Sequence, residues 1–130
     1  IPKGVEGRDF SAPLLRGETP EVDEAILLCV APFGQWLRTH GGREYRGLRT
    51  KRHTYVRDLN GPWLLYDNEK DPYQRENLAN NPQYAAVQEK LEVRLQRKLA
   101  EDADAFLSGE AYTTRRGYIV DKNGTVPYTH

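Results

Sequence analysis

"EYRGLRTKRHTYVRDLNGPWLLYDNEKDPYQRENLA", residues 44–79, is the stretch whose reading decides the fold. Tyr45 to Thr50 and His53 to Leu59 alternate in character at every second residue and are rich in tyrosine, valine and threonine, the pattern of half-buried strands. Lys51 and Arg52 make a short basic turn between them. Asn60 and Gly61 offer the positive φ angles of a tight hairpin turn, and Pro62 leads into the apolar run Trp63, Leu64, Leu65 and Tyr66. From Asn68 to Asn81 the chain turns polar, with Asp71 placed before Pro72.

Upstream, residues 25–31, AILLCVA, are continuously apolar and predict a strand buried on both faces, ended by Pro32. Together these segments predict a four-stranded antiparallel meander. Downstream, Asn81 and Pro82 read as a helix N-cap and first helical residue. Tyr84, Val87, Leu91, Leu95, Leu99 and Phe106 then fall on one stripe, which predicts an amphipathic helix of about 24 residues stopped by Gly109. The expected class is therefore α+β: a meander packed on one face by a long C-terminal helix, with irregular extensions at both ends. Residues 1–20 form a connector rich in glycine and proline that packs down Phe10, Leu14 and Leu15. Residues 21–110 form the α+β unit, and residues 111–130 form a tail with a short strand at Gly117 to Val120 and a turn at Asn123 and Gly124. One helix covers one sheet face, so the second face awaits another cover and offers a surface for self-association.

Composition narrows the function. A chain of 130 residues builds one core and buries roughly two-thirds of its unfolded surface. Nineteen basic residues balance nineteen acidic ones, so no global field draws in nucleic acid or an anionic membrane. No apolar run approaches the roughly 20 residues of a membrane span. The chain opens at Ile1 without a basic-then-apolar leader, and is expected to be an excised piece of something longer.

The chemically capable side chains divide cleanly. Cys29 lies within an apolar run with no neighbouring base or cation to activate it, which marks a structural thiol. His40, His53 and His130 share no metal-ligand spacing. Asp67, Glu69 and Asp71 imitate the start of a calcium loop, but Pro72 and Leu78 stand where glycine and glutamate are required. These carboxylates are expected to cap turns, so no metal site is predicted in this chain. Arg46, Arg49, Arg52 and Arg57 lie on the hairpin, where arginine stems cover tyrosine faces and pair with acids. The glycine-containing loop 33–44 carries Trp36, Arg38, His40 and Arg43. Guanidinium forks suit tetrahedral oxyanions and an indole suits a sugar or aryl ring, so these four are the candidate substrate-cleft residues.

The order of the pieces resembles the C-terminal part of a sulfatase, a member of the alkaline-phosphatase-like superfamily. The resemblance rests on GRDFSAPLLRG at 7–17, YRGLRTKRHTYVRDL at 45–59, LLYDNEKDPYQRENLANNPQY at 64–84 and the helix after them. Its most specific part ends in Asn77, Leu78 and Ala79, and residues 111–130 do not share it. The resemblance implies a scaffolding subdomain docked on a catalytic domain that hydrolyses sulfate esters with a formylglycine and a calcium ion. It carries over no catalytic residue. In Cys29-Val30-Ala31-Pro32-Phe33 the proline comes one place too late for a C/S-x-P-x-R formylglycine motif, and no arginine follows. The implied partners are the catalytic domain and a sulfated carbohydrate or aryl substrate, and the implied location is periplasmic or secreted. Two alternatives stay open: a phosphonate or phosphate ester hydrolase of the same superfamily, and a free-standing carbohydrate- or protein-binding module.

Overall fold

Alternation between residues 45 and 67 folds as it reads. The computed structural model describes residues 9–19, 24–30 and 38–121. Its elements are α1 (Ser11–Leu15), β1 (Glu24–Cys29), β2 (Tyr45–Thr50), β3 (His53–Asp58), β4 (Gly61–Asp67), α2 (Ala85–Glu101) and α3 (Gly109–Arg115). The strands form one antiparallel sheet in the order β1-β2-β3-β4, the expected meander. Ile26, Leu48, Tyr55 and Leu65 are register partners in one row across all four strands. Leu91, Leu95 and Leu99 of α2, spaced four apart on one face, close over that row with Leu78 to make the core. Burying each such side chain contributes about 1.5–3 kcal/mol.

The sequence places α2 correctly and overestimates its length. Asn81 caps it as expected, its side chain accepting from the Gln83 amide at 3.0 Å, and one 3-10 turn at Pro82–Tyr84 precedes the helix. The helix then runs 17 residues and stops at Glu101. Ala103 takes the left-handed conformation (φ 52°), and the amides of Ala103 and Asp104 fold back onto the carbonyls of Ala100 and Leu99. This closing turn uses an alanine where glycine is usual, so Gly109 is not the stop. Phe106, counted on the helical stripe, lies beyond the helix yet still packs against the core. Gly109 instead opens α3, which is capped by the Ser108 side chain and crosses position 110, where the tail was expected to begin. The expected strand from Gly117 to Val120 is absent: Gly117 turns the chain at φ 69°, and Tyr118, Ile119 and Val120 run on in irregular backbone. The turn at Asn123 and Gly124 lies outside the described residues.

Three further expectations need correction. The connector is not irregular throughout, since Ser11–Leu15 form α1, and Leu14 and Leu15 are exposed on it and not packed down. β1 is an edge strand, not one buried on both faces, and Leu28 is 54% exposed because α2 covers the middle of the sheet and not this margin. Of the Asn60–Gly61 pair only Gly61 has positive φ, while the Asn60 amide is held by the Asp58 carboxylate at 2.8 Å. The second sheet face is also less bare than one helix implies. Val56 is buried there, and Gln74 reaches from the 67–79 turn to the Thr54 hydroxyl at 2.8 Å. Leu27, Leu64 and Tyr66 on that face are half-buried.

Candidate functional site

The ends of β1 and β3 and the starts of β2 and β4 meet at one margin of the sheet, and the expected site lies there. Trp36 and the side chain of Arg38 lie outside the described residues. The backbone of Arg38 to His40 makes one 3-10 turn, His40 is exposed, and Gly41 follows at φ 86°. Arg43 is the candidate with a defined setting. One guanidinium nitrogen donates to Asp58 Oδ2 at 2.8 Å, and the group stacks over the Trp63 ring with its carbon 4.4 Å from the centroid. Its side chain is 42% exposed, so one edge is fixed and the other faces outward. A shallow depression of about 360 Å³ opens beside it, between Gly41, Gly42, Asp58 and Asn60. The structure does not bring His40 and Arg43 into one charged cluster.

The most buried polar group at this margin is Arg46, read from the sequence only as a hairpin arginine. It is 1% exposed. Its Nε donates to Asp104 Oδ2 at 2.5 Å, and Nη1 donates to the carbonyls of Cys29 and Tyr45 at 3.0 and 2.9 Å. Phe106 lies under the guanidinium at 4.8 Å. Asp104 also accepts from the Tyr112 hydroxyl and the Phe106 amide, both at 2.8 Å. The Arg46 hydrogen bond outweighs burial and, with these donors, holds the Asp104 carboxyl down at about 2. Nothing in the sequence pairs positions 46 and 104, because the turn between them depends on Ala103 adopting a glycine-like conformation.

The signature turn, by contrast, is spent on structure. Burial disfavours charge on Asp67, but hydrogen bonds from Arg52 and from the amides of Lys70 and Glu69 hold its carboxyl below the usual range. Asp71 accepts from the Glu76 amide at 2.8 Å. Asn77 accepts from the Leu65 amide at 3.0 Å and donates to the Trp63 carbonyl at 2.9 Å, while the Leu78 amide reaches the Leu65 carbonyl at 2.8 Å. This turn therefore lies along the outer edge of β4 and satisfies its backbone. Arg57 and the Tyr55 hydroxyl both meet Glu92 of α2, and Arg94 of α2 meets Glu24 of β1. The hairpin arginines thus pair within the scaffold: Arg46 and Arg57 with the loop after α2 and with α2 itself, Arg52 with Asp67 of β4, and Arg49 with the Thr54 hydroxyl instead of an acid. Among the described residues no three acidic, histidine or cysteine side chains group as a metal site.

Comparison with known proteins agrees with this outline. Residues 1–101 match the family model described as N-sulphoglucosamine sulphohydrolase, C-terminal. The chain is 40% identical over 130 residues to the ulvan-active sulfatase of Formosa agariphila, covering 98% of this chain and 25% of that protein. It thus spans about a quarter of the length of that curated relative. Among solved structures, a 2-O GAG sulfatase superposes with a TM-score of 0.64 at 24% identity, covering 93% of this chain and 24% of the other. The yidJ protein of Bacteroides fragilis superposes with a TM-score of 0.63 at 25% identity, covering 82% and 22%.

Proposed function

Because this chain belongs to the N-sulphoglucosamine sulphohydrolase C-terminal family, we propose that it is the non-catalytic C-terminal subdomain of an enzyme that hydrolyses sulfate esters. One observation carries the scaffolding role. The polar side chains of the signature segment, Asp67, Asp71, Gln74 and Asn77, are engaged with other groups of this same chain. A site that binds or converts a ligand needs donors and acceptors left over for it. The nucleophile and its calcium belong, on this reading, to the larger upstream domain, where a formylglycine made from a C/S-x-P-x-R motif would supply the attacking oxygen. Cys29 has no part in it. Residues 1–20 connect to that domain, residues 21–110 buttress it, and the enzyme works in the periplasm or outside the cell.

Loop 33–44 then borders the substrate cleft, and Trp36, Arg38, His40 and Arg43 are its candidate contacts for a sulfated sugar or aryl group. The fixed guanidinium of Arg43, clamped by Asp58 and Trp63, supports this placing. The half-buried Leu27, Leu64 and Tyr66 face the catalytic domain, and the isolated chain pairs with itself there. Light scattering that finds only monomer at high concentration would count against that pairing.

The test of the main reading is an assay of a chromogenic aryl sulfate and an aryl phosphate. The complete protein turns over the sulfate and loses this on chelation of calcium, while the 130-residue chain alone turns over neither. Turnover by the chain alone, surviving chelation, overturns the proposal. A preference of the complete protein for the phosphate would move it to the phosphate or phosphonate ester hydrolases.

A further inference from the structure

A second concavity, of about 770 Å³, lies between the end of β1, the turn after α2, and α3. Arg46, Asp104, Tyr112, Arg115, Arg116 and Tyr118 line it, over a floor of small residues that includes Ala103, Ala105 and Gly109. We infer that this cleft binds an anionic oligosaccharide, with Arg115 and Arg116 holding its acidic groups and Tyr118 meeting the face of a sugar ring.

Charge supports an anion. The carboxylate in the floor is already matched: Asp104 takes Arg46 on one oxygen at 2.5 Å and Tyr112 on the other at 2.8 Å. Arg115 and Arg116 are exposed, and neither guanidinium has a hydrogen-bond or ion-pair partner among the described residues. With Arg46 and Asp104 cancelling, Arg115 and Arg116 leave two positive charges among the described lining residues. Paired guanidinium forks recognise sulfate or carboxylate with directional bonds, and the anion could come from a sulfate ester or a uronic acid.

Shape supports a saccharide. The volume falls within the roughly 300–1,000 Å³ of ordinary ligand sites, and the lining mixes apolar surface with the polar groups of Arg46, Asp104, Arg115 and Arg116, as an amphipathic sugar requires. The chain is turned back at Gly117 (φ 69°), and the Tyr118 amide bonds to the Thr113 carbonyl at 2.9 Å. This holds Tyr118, 54% exposed, against the last turn of α3. An amphipathic ring with few free torsions suits a pyranose face. The arginine and tyrosine wall lies after residue 101, where the match to the family model ends.

Binding in this cleft does not depend on the sulfatase reading. The test uses the complete protein and titrates four probes by calorimetry: a dextran sulfate oligosaccharide, an oligogalacturonate, neutral dextran and a single-stranded oligonucleotide. Binding of either acidic saccharide, with neutral dextran inert, is expected. The Arg115→Ala/Arg116→Ala variant should weaken that binding at least about tenfold, equivalent to about 1.4 kcal/mol, with an unchanged melting temperature. The Arg115→Lys/Arg116→Lys variant should recover part of it. Which acidic probe binds more tightly identifies the anion. Equal binding of neutral dextran, tighter binding of the oligonucleotide, or unchanged affinity in the alanine variant overturns the inference. Aryl sulfate turnover, read in the same samples, separates the two readings: its absence defeats the enzymatic proposal and leaves the cleft result intact, and the reverse holds equally.

Discussion

Asp104 holds the one guanidinium that is almost wholly withdrawn from water among the described residues. Removing one member of such a pair strands the other charge, at a cost of about 3–5 kcal/mol. Asp104→Asn should lower unfolding free energy by about 3 kcal/mol, measured by urea titration. Acid does the same reversibly. The folded carboxyl sits at about 2, below its ordinary value, so its contribution is present above pH ~4 and is lost as pH falls toward 2. The stake is about 2 kcal/mol, and in Asp104→Asn the stability lost between pH 4 and 2 should shrink by that amount. Gly47 is a different kind of dependence. A Cβ there would stand 2.5 Å from the Tyr55 carbonyl oxygen and 2.9 Å from Val56 Cγ2, with backbone on one side and a branched side chain on the other. Gly47→Ala is expected to cost about 1–3 kcal/mol. A melting temperature unchanged from the parent would refute it.

Elements differ in how openly the sequence shows them. The three strands from Tyr45 to Asp67 were legible because alternation and short turns act over neighbouring residues. So was the helix start, where Asn81 and Pro82 carry the cap chemistry in two adjacent letters. Its end was not, because Ala103 carries the left-handed turn that a glycine would have announced. α3 escaped because seven residues hold too little periodicity, and Tyr118-Ile119-Val120 imitate a strand that has no neighbour to pair with among the described residues. Of the candidate site, Arg43 was found by residue type alone, while the Arg46–Asp104 contact joins positions 58 apart in sequence and left no local trace. The 67–79 turn also acts as an element. Asn77→Leu removes three side-chain hydrogen bonds, to the Leu65 and Ala79 amides and the Trp63 carbonyl, and should cost about 2–3 kcal/mol. Leu95→Ala, in the fully buried centre of α2, should cost about 2–5 kcal/mol by the same titration.

At the scale of the molecule, the folded unit does not end where the match to the family model does. Asp104, Phe106 and Tyr112 all lie after residue 101 and close over Arg46, and the Gly109 amide is held by Glu44 at 2.7 Å. A version truncated after Glu101 should therefore unfold at lower urea than one truncated after Asp121, by at least about 3 kcal/mol. Equal midpoints would show that the last stretch is an appendage.

The two margins of the sheet are unequal. The outer side of β4 is zipped shut by Asn77 and Leu78, whereas the outer side of β1 has no strand partner among the described residues. Growth of this layer is therefore one-directional: among the described residues, an added ribbon finds its berth on the outer side of β1.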